Sequence, residues 1–249
     1  MTETRIIMGM HITLEIVDPQ VTSEIFEEIF SYFTSVDAQF STYKDTSEIM
    51  RINRGEVSKD NCSSQMKEVF ALAEKTKEQT VGFFDIKKPD GSLDPSGIVK
   101  GWSIQNAADL LLKKGYKNFY VDVGGDIQSH GLNGQGKEWS IGIRHPFKPA
   151  DIIKVIYPHH KGVATSGTSV RGQHIYNPHM PEKKLLDIVS LTVIGPNILE
   201  ADRFATAAFA MGKEGINFIE KLVGFEGYAI DHTGMATMTT NFEHYTKTQ

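Results

Sequence analysis

Val189-Ser-Leu-Thr-Val-Ile-Gly-Pro-Asn-Ile-Leu-Glu-Ala-Asp-Arg-Phe-Ala-Thr-Ala-Ala-Phe-Ala-Met-Gly212 is the stretch on which the fold class turns. Its first part, Val189 to Ile194, is a short apolar run rich in branched residues and reads as a strand. Asp202 to Met211 then reads as a helix stopped by Gly212. A regularly alternating chain would return to a strand here. Instead a second helix is predicted from Glu214 to Val223, stopped by Gly224, followed by a hairpin from Gly227 to Thr240 that turns at His232-Thr-Gly234. Such an order lacks the strand-helix alternation of a doubly wound sheet and predicts an α+β fold, with mixed or antiparallel sheets flanked by helices.

The same irregular interspersion extends toward the N-terminus. Ile12 to Val17 alternates apolar and polar residues as a half-buried strand does, and Asp18-Pro19 ends it. From Ser23 to about Phe40, Ile25, Ile29, Phe33 and Val36 recur at helical spacing and predict one buried face. Further helices are predicted over Ser64–Gln79 and Ser103–Lys114, the latter stopped by Gly115. Phe119 to Val123 reads as a buried strand running into Gly124-Gly125-Asp126, with more strands over Trp139–Arg144 and Ile152–Tyr157. No repeat, low-complexity tract or linker divides the chain, so residues 1–249 are expected to form one compact domain.

With 249 residues, 40% of them hydrophobic and 23% charged, the chain can bury a substantial core and is not a disordered sequence. A formal charge of -5 gives no broad basic field, which argues against a nucleic-acid partner. One cysteine, Cys62, excludes an internal disulfide and a thiolate-rich metal site and suits a reducing compartment. The start of the sequence has no signal-peptide pattern and no stretch reaches the length of a membrane span, so the expectation is a cytoplasmic protein. Oligomeric state is not legible.

Two constellations are candidates for chemistry. Asp94-Pro-Ser-Gly-Ile-Val-Lys-Gly101 lies between a glycine-bearing loop and the helix predicted from Ser103, whose first amides would face an anion. Small residues at Ser96 and Gly97 would admit a ligand to the backbone, Lys100 supplies a cation, and Asp94 can accept hydrogen bonds from a sugar or base. A plain loop with a solvated lysine fits the same residues equally well. In Ala201-Asp202-Arg203-Phe204-Ala205-Thr206, Asp202 and Thr206 share a helix face, and a carboxylate and hydroxyl at that spacing suit a hard cation such as magnesium. The bland alternative makes Asp202 a helix-starting acid and Thr206 a packed residue. Gly124-Gly125-Asp126, Thr165-Ser-Gly167 and His174-Ile-Tyr-Asn-Pro178 are polar islands, and His174 has the near-neutral titration a general base needs.

Taken in order, these pieces resemble the ApbE family, the FAD:protein FMN transferases. The resemblance runs over nearly the whole chain: Met8-Gly9, FSTYKDTSEIMRINRG from Phe40, GFFDI from Gly82, DPSGIVKG from Asp94, YVDVGGDIQSHG from Tyr120, TSG at Thr165, HIYNP at His174, and SLTVIGPNILEADRFATAAFAMG from Ser190. It implies a transferase that cleaves FAD, joins FMN by a phosphoester to a threonine or serine of an acceptor flavoprotein, and releases AMP, with magnesium as cofactor. By matching positions, magnesium would be held by Asp202, Thr206 and the Gly97 carbonyl. FAD would touch Met8, Tyr43, Phe83, Phe84, Asp85, Asp94, Lys100 and Tyr176, with Tyr43 either stacked on a flat ring of FAD or buried in the core. His174 or Asp85 would be the base that takes the acceptor's proton. Two departures stand out: Met10 replaces the usual threonine after Met-Gly, and Asn177-Pro-His-Met-Pro181 replaces Asp-Pro-x-Thr-Gly. The chain is also short for the family and lacks the lipoprotein signal and early cysteine of many bacterial members, which points to an intracellular acceptor or a divergent role. An FAD pyrophosphatase and a non-catalytic FAD-binding protein would use nearly the same residues.

Overall fold

The computed structural model describes residues 1–168 and 175–247. Strands β1 (Thr2–Ile7) and β2 (Met10–Ile16) form a hairpin whose two-residue turn is Met8-Gly9. Both turn residues have positive φ, 57° at Met8 and 71° at Gly9, as a primed hairpin turn requires. That conformation strains Met8, and its half-buried side chain is anchored by packing against two of the protein's hydrophobic cores.

Helices α1 (Ser23–Phe40), α2 (Glu48–Asn53), α3 (Ser64–Gln79) and α4 (Ser96–Lys113) follow. The chain then lays down β3 (Phe119–Val123), β4 (Asp126–His130), the ribbon β5 (Ile141–His145) and β6 (Lys148–Ile156), and β7 (Gly162–Gly167). It ends with β8 (Ile188–Gly195), α5 (Ile198–Ala210), α6 (Gly215–Glu220), β9 (Glu226–Asp231) and β10 (Ala236–Met238), with short 3-10 turns between and after. Among the described residues the main sheet has eight strands in the order β1-β2-β3-β4-β7-β8-β9-β10, every neighbour antiparallel, and β5 pairs with β6 separately. This is the expected α+β arrangement.

Strand alternation sends successive side chains to opposite faces of the sheet. Ile12, Leu14 and Ile16 of β2, Val121 of β3 and Val193 of β8 meet Phe26, Phe30 and Phe33 of α1 and the inner faces of α4 and α5 in one core. On the other face, Ile127, Val163, Ile194 and Ile230 pack against Ile141, Ile143 and Ile156 of the ribbon and against Phe242. A third cluster joins Val36 and Phe40 to Ile49, Met66, Val69 and Trp102, so α1 through α4 support one another beyond the sheet. Each fully buried large side chain stabilises by roughly 1.5–3 kcal/mol.

Two helix starts differ from the sequence reading, and four elements go beyond it. α4 begins at Ser96 rather than Ser103, and α5 at Ile198 rather than Asp202, where Asn197 caps it by accepting the Glu200 amide at 2.9 Å. β1, β4 and β7 were not anticipated, nor was α2. Consequently Asp94 to Gly101 is not a loop before a helix: from Ser96 onward it is the first two turns of α4.

Candidate active site

Placing Gly97 and Gly101 inside α4 changes what those glycines do. They sit one helical turn apart on the face that meets α5. A Cβ at Gly101 would stand 2.6 Å from the Asp202 Cβ, and one at Gly97 would stand 3.2 Å from Thr206 Cγ2 and 3.1 Å from Phe84 Cε2. The two missing side chains therefore let the helices touch where α5 carries Asp202 and Thr206. The sequence reads Gly97 as making room for a ligand; it lines the cleft and makes room for the neighbouring helix as well.

At this contact the Gly101 amide donates to Asp202 Oδ2 at 2.7 Å, and Thr206 Oγ1 donates to the Gly97 carbonyl at 3.4 Å. The three expected magnesium ligands are thus brought together across the α4–α5 seam. α5 is held rigid between them: buried Arg203 donates to Thr76 and Gln79 of α3 and pairs with Glu200 at 2.6 Å. Asp202 is 3% exposed, and burial raises its pKa above the ordinary carboxylate range, helped by Asp126 and opposed by Lys100 and the Gly101 amide. An all-oxygen donor set with a buried carboxylate that favours nearby positive charge is what a hard divalent cation requires. Among the described residues no cluster of three His, Cys, Asp or Glu side chains could hold a metal.

Lys100, on the same stretch of α4, turns toward the sheet. Its Nζ lies 2.6 Å from Asp126 Oδ2 and 4.0 Å from Asp202 Oδ1. Asp126 begins β4 directly after the Gly124-Gly125 turn, is 1% exposed, and also accepts the Thr165 amide at 3.0 Å. Sequence reading singled out that turn but not the acid. Asp122, on β3, was missed as well; its pKa is raised mainly by burial, against the Gly125 amide that it accepts at 2.7 Å. The available signal was the Asp-Val-Gly-Gly-Asp spacing of a two-residue hairpin, which places both carboxyls at one end of the sheet.

Asp122, Lys100 and the residues of the seam's open side line a cleft of about 910 Å³, at the upper end of the range for ligand sites. Phe83, Phe84, Asp85, Asp94, Gly97, Lys100, Tyr176, Asp202 and Thr206 all contribute to it. Its walls are partly apolar, from Ile127 of the sheet and Ile141 and Ile143 of the ribbon. Asp94 Oδ1 accepts the Ser96 amide at 3.1 Å, so one of the free amides at the start of α4 is already met by a carboxylate. Burial raises the Tyr176 phenol, reinforced by the negative charges of Asp85, Asp94 and Asp90.

Other expected residues fall elsewhere. Tyr43 is 96% exposed and does not line the cleft, which removes the core role considered for it. Met8 is turned into the hydrophobic cores, and its neighbours Gly9 and Met10 line the cleft instead. Met10 packs over the β3–β4 turn, its Sδ 3.0 Å from where a Cβ of Gly124 would stand. His174 lies outside the described residues. Asp85 is held by Lys77 Nζ at 2.7 Å and by the Lys87 amide at 2.8 Å, both of which compete with its use as a base. His179, in the segment that departs from the family pattern, meets the Phe83 ring edge-on at 4.7 Å between centroids and reaches the Val81 carbonyl at 3.0 Å.

Known proteins resemble this chain in sequence and in fold. The FAD:protein FMN transferase of Vibrio cholerae is 34% identical over 135 residues, which cover 51% of this chain and 40% of that protein. The FAD:protein FMN transferase of Escherichia coli K12 is 28% identical over 155 residues, 59% of this chain and 44% of that protein. The alignments thus span less than half the length of these curated relatives. Among solved structures, the flavin transferase ApbE of Vibrio cholerae has a TM-score of 0.86 at 23% identity, covering 98% of each chain. The ApbE protein of Thermotoga maritima has a TM-score of 0.88 at 19% identity, covering 99% of each. These likenesses show a shared fold. The family model described as ApbE family matches residues 8–88 and 86–229, and on that match the chain belongs to the ApbE family.

Proposed function

We propose that residues 1–249 form a magnesium-dependent FAD:protein FMN transferase domain, which cleaves FAD and joins FMN by a phosphoester to a threonine or serine of an acceptor flavoprotein. One observation carries this reading: the α4–α5 seam brings Gly97, Asp202 and Thr206 together beside Lys100 in a dinucleotide-sized cleft. Names of the relatives quoted above supply the reaction type.

Asp202, Thr206 and the Gly97 carbonyl would hold magnesium, which when bound neutralises charge on the diphosphate being split. Lys100 adds a fixed ammonium beside it, positioned by Asp126. Phe83, Phe84 and Tyr176 offer the apolar and aromatic surface for the flat ring systems of FAD. In the transfer, the acceptor oxygen forms a bond to the phosphorus on the FMN side, the P–O bond to AMP breaks, and the hydroxyl proton passes to a base. We assign that base to His174, since Asp85 is already paired with Lys77. No helix among the described residues is long and apolar enough to cross a membrane, and the buried free thiol of Cys62 suits a reducing compartment such as the cytoplasm.

Incubating the protein with FAD, magnesium and an acceptor, then following AMP and the acceptor's mass, tests the proposal. AMP together with an acceptor heavier by one FMN supports it. AMP with free FMN and an unmodified acceptor would make the protein a pyrophosphatase, and tight FAD binding without AMP would make it a carrier.

A further inference from the structure

The α4–α5 seam holds two claimants for one carboxylate. Asp202 is a magnesium ligand in the reading above, yet the Lys100 ammonium stands only 4.0 Å from its Oδ1, close enough to serve as a permanent substitute cation. What holds that ammonium back is visible. Asp126 takes it at 2.6 Å, and Asp126 is itself fixed by the Thr165 amide at 3.0 Å and by its place directly after the β3–β4 turn. Nearly full burial of both acids keeps water from screening any of these charges.

We infer that Asp126 is a positioning residue whose task is to keep Lys100 off Asp202, leaving that carboxylate available to a divalent cation. The inference rests on the magnesium reading and adds a residue to it. Its geometry is specific: the sheet supplies one acid, α5 supplies the other, and the Lys100 ammonium of α4 stands within 4.0 Å of both, nearer the first. Removing Asp126 would leave the half-buried Lys100 ammonium with Asp202 as its nearest carboxylate among the described residues, and a charge so little screened by water is drawn to the opposite charge beside it. Lys100 would then close the remaining gap and compete with the metal. A bystander ion pair between helix and sheet would have no such effect on cation binding.

The test is a two-by-two set of variants read by manganese binding to the purified protein without FAD, using the electron paramagnetic resonance signal of free Mn2+. Asp202→Ala first establishes which binding belongs to this site. Asp126→Asn keeps an oxygen for the Thr165 amide, and circular dichroism checks that the fold survives; if it does not, Asp126→Ser replaces it in the same cycle. The expected result is weakening of Mn2+ affinity by about 10–100-fold in Asp126→Asn, the range seen when a supporting partner of a metal ligand is lost. Adding Lys100→Met should then recover most of the loss, whereas Lys100→Met in the wild-type background should change affinity far less. Equal effects of Lys100→Met in both backgrounds, or unchanged or tighter binding in Asp126→Asn, would overturn the inference while leaving the magnesium reading standing. Wild-type protein whose Mn2+ binding is absent or insensitive to Asp202→Ala would overturn both.

Discussion

Asp202 is the side chain on which helix contact and chemistry meet, since it accepts the Gly101 amide and faces Lys100 from the interior of α5. Asp202→Ala should therefore leave the fold in place and lower FAD cleavage by more than about 100-fold, because loss of a mere supporting partner already costs 10–100-fold; unchanged turnover would refute its role as ligand. Its titration makes a second prediction. Burial pushes its carboxyl up to about 7, so near neutrality a proton competes with any cation for the carboxylate. Cation affinity should fall as pH drops through that range, and calorimetric Mg2+ titrations at about pH 8 and pH 6 should show weaker binding at the lower pH; equal affinities would contradict the assignment. At this scale the sequence was informative where partners share a helix. Asp202 and Thr206 were readable at a spacing of four, but Asp126 was not, because its partner Lys100 lies on another element. The core alternative for Tyr43 failed for a different reason: an aromatic in a motif says nothing of which way its loop faces.

α4 shows how a tertiary contact overrides local propensity. Pro95, Gly97 and Gly101 are poor helix formers and read as loop, yet the helix starts at Ser96 because glycine is what permits close approach to α5. Gly101→Ala would place a methyl 2.6 Å from the Asp202 Cβ. Despite the better helix propensity of alanine, it should destabilise the protein by about 1–3 kcal/mol through overpacking and weaken Mn2+ binding with it. Chemical denaturation showing equal or greater stability would mean the helices are not packed as described. By contrast α1 and α3 were legible from end to end, since long apolar stripes at helical spacing outweigh everything else in their sequence. β7 was not: exposed Thr165 and half-buried Gly167 give it no apolar alternation at that end, and its identity as a strand comes from pairing with β8.

Across the whole molecule, the antiparallel sheet has helices on one face and the β5–β6 ribbon on part of the other, and the cleft is walled by the ribbon, the start of α4 and α5 from Asp202 to its end at Ala210. The α+β class was legible because the helix pair α5–α6 falls between strands without alternation; the strand order was not, because it depends on pairings far apart in sequence. A cleft assembled from so many elements should be stabilised by its occupants. FAD with Mg2+ should raise the melting temperature more than FAD and Mg2+ added separately would sum to, as linked binding to the folded state requires, and a purely additive shift in differential scanning calorimetry would argue against a shared site. The central claim, that the α4–α5 seam is a metal and diphosphate site, is tested most directly by anomalous diffraction from crystals grown with Mn2+ and FAD. The account predicts a peak within coordination distance, about 2.0–2.2 Å, of Asp202, Thr206 Oγ1 and the Gly97 carbonyl, with the diphosphate on its open side. A peak elsewhere in the cleft, with Lys100 paired to Asp202, would contradict it.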